Sequence, residues 1–260
     1  MNIKLLCLLA GLLTLPGPAL DAAPWVETPR MRRLGIADGL PSRMVLALAQ
    51  DRQGHVWAAT DDGLARYDGV GLRVWRHDPA DPASLPANSV ETLLVDPLDR
   101  VWVGTHGGGL GMLDRRRSGF ARFDTVDRSC DSPLWSLAYA QHALWIGSSE
   151  SGLCRRGEDG RVTRFRARPG DPAALPSDTI YSMLTDVRGR LWIGTGAGLV
   201  RRDGERFTRV FPERLDSEVL KLSQAADGTL WIGSGAGLWR LSPNGELSPA
   251  PWATGADLRG

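Results

Sequence analysis

One five-residue segment returns five times along the chain: Val56-Trp57-Ala58-Ala59-Thr60, Val101-Trp102-Val103-Gly104-Thr105, Leu144-Trp145-Ile146-Gly147-Ser148, Leu191-Trp192-Ile193-Gly194-Thr195 and Leu230-Trp231-Ile232-Gly233-Ser234. Successive tryptophans lie 45, 43, 47 and 39 residues apart. A period of this size marks supersecondary units that cannot bury their apolar faces alone and must stack on one another. Before the tryptophan segment comes an apolar stretch closed by a turn, as in Ile180–Leu184 followed by Asp186-Val187-Arg188-Gly189. After it come a Gly-rich turn, a Gly-Leu segment and a further turn. Each unit is therefore four short antiparallel strands, a to d, joined by Asp/Gly turn chemistry. Strand b is apolar at consecutive positions, which suits a strand covered on both faces. Four-stranded sheets arranged around an axis cover each other's faces in this way. The expected fold is all-β, a β-propeller with five blades at about 33–76, 85–124, 132–166, 175–211 and 216–248. A parallel β-helix fits less well, because its coils are shorter than this period.

Composition agrees with many tight turns. Glycine is 31 of 260 residues, and the 10 tryptophans outnumber Phe (5) and Tyr (3) together. Lys+Arg 31 balances Asp+Glu 30, so no net charge draws the chain to nucleic acid or an anionic membrane. The first residues stand apart. Lys4, the uncharged apolar run Leu5–Leu15 and the small residues Ala19, Ala22 and Ala23 have the form of a signal peptide over 1–23. The mature chain, 24–260, is then expected in the periplasm without a membrane span. There Cys130 and Cys154 would meet an oxidising environment. Strand b separates strand c from strand a by roughly 9–10 Å across two inter-strand spacings, too far for a direct bridge. Cys130 precedes strand a in a loop that could fold over, so pairing with Cys154 stays open.

The strand path places the d–a and b–c connections at one end of every blade. By fold-level analogy that end is the candidate ligand face. Its polar residues are Arg43, Asp61, Asp62, Asn88, His106, Ser149, Glu150 and Asp178, which could meet sugar hydroxyls or simply be solvated turns. The repeated Trp57, Trp102, Trp145, Trp192 and Trp231 read as blade packing, while Trp239 and Trp252 lie outside that register and are freer to stack on a ligand. Arg115-Arg116-Arg117, Arg155-Arg156 and Arg201-Arg202 are expected near the ends of c strands, gathered toward the opposite face, where an anionic polysaccharide or a partner domain could dock. The glycines of the b–c turns lack the following helix and lysine of a phosphate loop. His55, His77, His106 and His142 show no metal-ligand spacing, and no catalytic constellation is legible.

The units resemble the two-component regulator propeller repeat: Leu175-Pro176-Ser177-Asp178-Thr179-Ile180 through Thr195 and Gly198-Leu199 matches its pattern, as does Leu85-Pro86-Ala87-Asn88-Ser89-Val90 through Gly109-Leu110. The resemblance implies the periplasmic ligand-sensing input region of a hybrid histidine kinase or diguanylate cyclase receptor, non-enzymatic, without cofactor or metal, with an oligosaccharide as ligand. Because propellers of the family close with seven blades, it also implies an incomplete ring, C-terminally truncated, with the missing receptor portion or a partner subunit as its complement. The segment around Arg33 to Ile36 would be the strand that latches such a ring. The third unit departs from the pattern, with Cys130–Leu134 in place of Leu-Pro-Ser and Gln141-His142 in place of Asp-x-x-Gly. A carbohydrate-acting or lyase-type propeller enzyme and a protein-docking scaffold remain as alternatives.

Overall fold

The structure, a computed structural model, describes residues 32–123, 130 and 133–250. The signal peptide expected over 1–23 and Trp252 lie outside the described residues. The chain divides after Arg33, and the second unit, from Leu34 onward, is built of five antiparallel sheets of four strands each. The first blade comprises β1 (Val45–Gln50), β2 (Val56–Thr60), β3 (Gly63–Tyr67) and β4 (Leu72–Trp75). The second comprises β5 (Val90–Val95), β6 (Val101–Thr105), β7 (Gly109–Leu113) and β8 (Phe120–Phe123). The third comprises β9 (Leu134–Ala140), β10 (Ala143–Ser148), β11 (Leu153–Gly157) and β12 (Val162–Phe165). The fourth comprises β13 (Ile180–Thr185), β14 (Leu191–Thr195), β15 (Gly198–Asp203) and β16 (Arg206–Arg209). The fifth comprises β17 (Val219–Gln224), β18 (Leu230–Ser234), β19 (Gly237–Leu241) and β20 (Leu247–Pro249). Strands pair in chain order within each blade, and the first strands of successive blades approach one another, β1 to β5 to β9 to β13 to β17. This is a β-propeller.

The core lies between blades. Trp57 shares a buried cluster with Val90, Val101 and Val103 of the second blade. Trp102 does the same with Leu134, Leu137 and Ile146 of the third, Trp145 with Ile180, Leu191 and Ile193 of the fourth, and Trp192 with Val219, Leu230 and Ile232 of the fifth. Strand b thus alternates between two apolar surroundings: its tryptophan faces the following blade and its flanking aliphatics face the preceding one. The glycine two residues after the tryptophan lets the following blade close in. A Cβ on Gly147 would sit 2.5 Å from Ile180 Cγ2, and one on Gly194 would sit 2.5 Å from the Val219 carbonyl oxygen.

The two end blades each keep one face that no other blade covers. Leu48 of β1 is 67% exposed, whereas Leu93 at the matching place in β5 is 8% exposed. Val56 is 38% exposed against 0% for Val101. On the fifth blade Trp231 shares its face with Ser223 and Arg240 and is only half-buried. Among the described residues no comparably close approach joins β17 to β1. The latch strand expected around Arg33 to Ile36 does not form: Ile36–Asp38 is a 3-10 turn. The fifth blade has its own outer strand, β20, in the place a latch would take.

Candidate ligand-binding face

The repeated indoles are structural, and in the first, second and fourth blades a carboxylate from the a–b turn explains their orientation. Trp57 Nε1 donates to Asp51 Oδ2 at 3.0 Å, Trp102 Nε1 to Asp96 Oδ2 at 2.9 Å and Trp192 Nε1 to Asp186 Oδ2 at 2.8 Å. Arg190 Nε donates to the same Asp186 oxygen at 2.7 Å and Arg100 Nε to Asp96 at 2.5 Å. Burial pushes the Asp51 and Asp186 carboxyls up, but the indole, backbone and neighbouring side-chain donors outweigh it and hold both below the usual carboxylate value. In the third blade the turn is Gln141-His142, both with positive φ (51 and 56), so a two-residue hairpin replaces the Asp turn. Trp145 Nε1 donates instead to the Ala140 carbonyl at 3.2 Å. In the fifth blade Ala225 takes the aspartate's place, its N–H donating to the Thr229 carbonyl as Asp51 donates to that of His55.

The end formed by the d–a and b–c connections divides its predicted residues into two groups. Arg43, Asp61, His106 and Glu150 are exposed. The others hold the connections together. Asn88 Oδ1 accepts from the His77 N–H at 2.7 Å. Asp178 Oδ1 accepts from the Ala167 N–H at 2.8 Å, while its Oδ2 pairs with Arg166 at 2.9 Å. Asp62 pairs with Arg76 at 3.2 Å. Ser149 is buried and donates its N–H to the Pro133 carbonyl.

Sequence reasoning missed a second set of residues at this end. The pairing of strands a and b slips by one residue near the start of strand a in every blade. A bulge of this kind leaves one residue unpaired and re-aims its side chain. The residues so released are Leu46, Glu91, Trp135, Tyr181 and Leu220. Trp135 and Tyr181, from neighbouring blades, stack with ring centroids 5.3 Å apart and planes 14° from parallel. Trp135 is 37% exposed, unlike the blade-packing indoles. Glu91 accepts from Ser89 Oγ at 2.9 Å, and His106 Nδ1 lies 4.0 Å from it. The detectable signal is positional: each residue directly follows the first residue of strand a.

Two expectations need correction. The arginine pairs do lie near the ends of c strands, Arg155-Arg156 before Gly157 and Arg201-Arg202 before Asp203, but most of these guanidinium groups are engaged within the fold. Arg156, Arg201 and Arg202 lie over aromatic rings. Arg202 lies over Trp145, Phe165 and Phe207, Arg201 over Trp192, Arg156 over Phe123, and Arg117 over Trp57. Trp239, expected to be free for stacking, packs against the cluster between the fourth and fifth blades. The opposite end instead holds a cavity of about 540 Å³ among the last residues of β1, β5, β9 and β13, including Gln50, Val95, Tyr139 and Thr185. Cys130 and Cys154 are joined as a disulfide with their Cα atoms 6.4 Å apart.

Comparison with known proteins agrees with the repeat. Residues 39–62, 84–107 and 174–197 each match the family model described as two component regulator propeller. A 48-residue stretch is 38% identical to the histidine kinase P4 of Formosa agariphila, covering 18% of this chain and 4% of that protein. The fold is similar to the extracellular domain of a B. thetaiotaomicron protein described as a hybrid two component system, with TM-score 0.62, 24% identity, and coverage of 87% of this chain and 37% of that one. It is also similar to virginiamycin B lyase from Staphylococcus aureus, with TM-score 0.59, 14% identity, and coverage of 80% and 71%. The chain thus spans well under half the length of the signalling proteins it matches.

Proposed function

We propose, from the three stretches that match the two component regulator propeller model, that the chain is the ligand-sensing part of a signalling receptor, working outside the cytoplasm, with an oligosaccharide as its ligand and the catalytic output carried elsewhere. The observation that carries this reading is the coincidence of the family repeat with a rim of exposed polar and aromatic side chains at the end where the d–a and b–c connections meet. The lyase reading draws support from the shared fold alone. The buried carboxylates held below their usual value, Asp51 and Asp186, are engaged by indole N–H groups, so neither is placed to act on a substrate.

The uncovered faces of the end blades extend the proposal. Leu48 and Val56 repeat the pattern that receives a tryptophan-bearing face between every other pair of blades, and the Trp231 side of the fifth blade repeats the face that would be received. Further units of the same repeat, in the same polypeptide or in a partner subunit, would cover both. The sensing role is tested by thermal-shift screening of the purified chain against defined oligosaccharides. A rise in midpoint with at least one of them is expected, and a flat response across the panel would count against a saccharide ligand. Export is tested separately by fusing residues 1–40 to alkaline phosphatase, which is active only outside the cytoplasm.

A further inference from the structure

We propose that the stacked Trp135–Tyr181 pair is the platform on which one pyranose ring of a neutral saccharide lies, with the Glu91–His106 pair of the neighbouring blade as polar flank. The inference rests on the saccharide reading above and assigns it a place. Three observations converge on it. The bulges re-aim one residue per blade at the same level of the same end, and the 5.3 Å stack between the third and fourth blades shows that residues released from adjacent blades reach each other. The pair is aligned within 14° yet open to solvent on the Trp135 side, so the packing that buries the b-strand indoles is not what holds it. Its polar atoms are also uncommitted. Among the described residues neither Trp135 Nε1 nor Tyr181 Oη has a hydrogen-bond partner, whereas Trp57, Trp102, Trp145 and Trp192 all donate within the fold.

The exposed part of the Trp135 indole, with its N–H at the edge and the Tyr181 O–H on the ring stacked beneath, suits a pyranose, which offers an apolar C–H face and a rim of hydroxyls. The charge around the platform selects among saccharides. On the b–c turns and the first three residues of the a strands, Asp61, Asp62, Glu91 and Glu150 outnumber Lys221, which disfavours sulfated or uronate chains and leaves carboxylates to accept from hydroxyls. Leu46 and Leu220 continue the ring of released residues with apolar surface.

The test uses the full chain with cellohexaose, xylohexaose, mannohexaose and maltohexaose, and with oligogalacturonate as the anionic control. Calorimetric binding of at least one neutral hexaose is expected, with protection of tryptophan fluorescence from acrylamide quenching on saturation. Trp135→Ala should weaken that binding by about tenfold or more, and Trp135→Phe should abolish the quenching protection while keeping most of the affinity. Unchanged unfolding midpoints of both variants would show that the blades remain intact. Binding of a neutral hexaose that Trp135→Ala and Tyr181→Ala leave unchanged would overturn the platform and spare the saccharide reading. Preference for oligogalacturonate would overturn the neutral assignment, and binding of none of these sugars would overturn both readings.

Discussion

The unit of stability at the residue scale is the carboxylate that fastens the tryptophan of the first, second and fourth blades. Asp186 receives Trp192 Nε1, Arg190 Nε and backbone N–H groups of its own turn, so its removal strands several donors in or near the core. Asp186→Asn is expected to cost about 1–3 kcal/mol in urea unfolding, with Asp51→Asn similar. The sign of the pH dependence follows from the lowered values of both groups. Their contribution is complete above the unfolded carboxylate value and is lost as pH falls through the lower folded value. Acid unfolding of the wild type should therefore be steeper than that of Asp51→Asn/Asp186→Asn, and a double variant with the same acid slope would refute the anchor role. Arg202 poses the opposite case. Burial lowers its value, only Nη2 finds a carboxylate, on Glu205 at 3.1 Å, and Nε and Nη1 have no hydrogen-bond partner while three aromatic rings surround the guanidinium. Replacing a buried charge by an apolar side chain of similar length often leaves stability unchanged or raises it. Arg202→Met should therefore unfold within about 1 kcal/mol of wild type or above it, whereas Arg202→Ala should lose about 2–4 kcal/mol through the space it opens. Equal losses in the two variants would show that the charge itself holds the interface.

Elements meet where the b-strand glycine admits the next blade, and the series contains its own control. A Cβ on Gly194 would collide with the Val219 carbonyl, while one on Gly233 meets nothing nearer than 3.7 Å, the Cβ of Lys221. Gly194→Ala is expected to lower stability by about 1–3 kcal/mol through overpacking, and Gly233→Ala to leave the unfolding midpoint essentially unmoved. The cost stays moderate because Ala59 occupies the same place in the first blade, fully buried. The disulfide belongs to this scale too. Cys130 and Cys154 are 24 residues apart in sequence, and reduction should lower stability by about 3 kcal/mol through loop entropy, with a mass gain of two hydrogens. An unchanged mass and midpoint after reductant would show the thiols free. The elements were legible from the sequence because an Asp turn, a tryptophan and a Gly-Leu pair recur in register, and each has a local physical reason to be there. The platform was hidden for two reasons. Trp135 lies in the unit whose motifs are most altered, and a bulge is a slip between two strands that no single strand reveals. The contacts of the arginines were hidden because the repeat sets them near the ends of β11 and β15 without telling which ring each guanidinium lies over.

At the scale of the whole molecule, the four buried interfaces between blades share one design, and the end blades display its two halves unmet. The face bearing Leu48 and Val56 lacks the cover that its counterparts Leu93 and Val101 have, and the opposite face presents a half-buried Trp231 where Trp57, Trp102, Trp145 and Trp192 are nearly or fully buried. Such halves are complementary to each other but lie on different surfaces of one chain. Their meeting between copies is head-to-tail and need not close. The chain by itself should therefore associate with rising concentration in analytical ultracentrifugation, without settling on one stoichiometry. Leu48→Lys should suppress that association, and so should Val56→Lys, because both lie on the half that another copy must cover. The double variant should gain little over the single ones. Suppression by neither variant would locate the association elsewhere. A monomer at all concentrations would show that the open faces, apolar as they are, bury too little to bind without the continuity of one polypeptide.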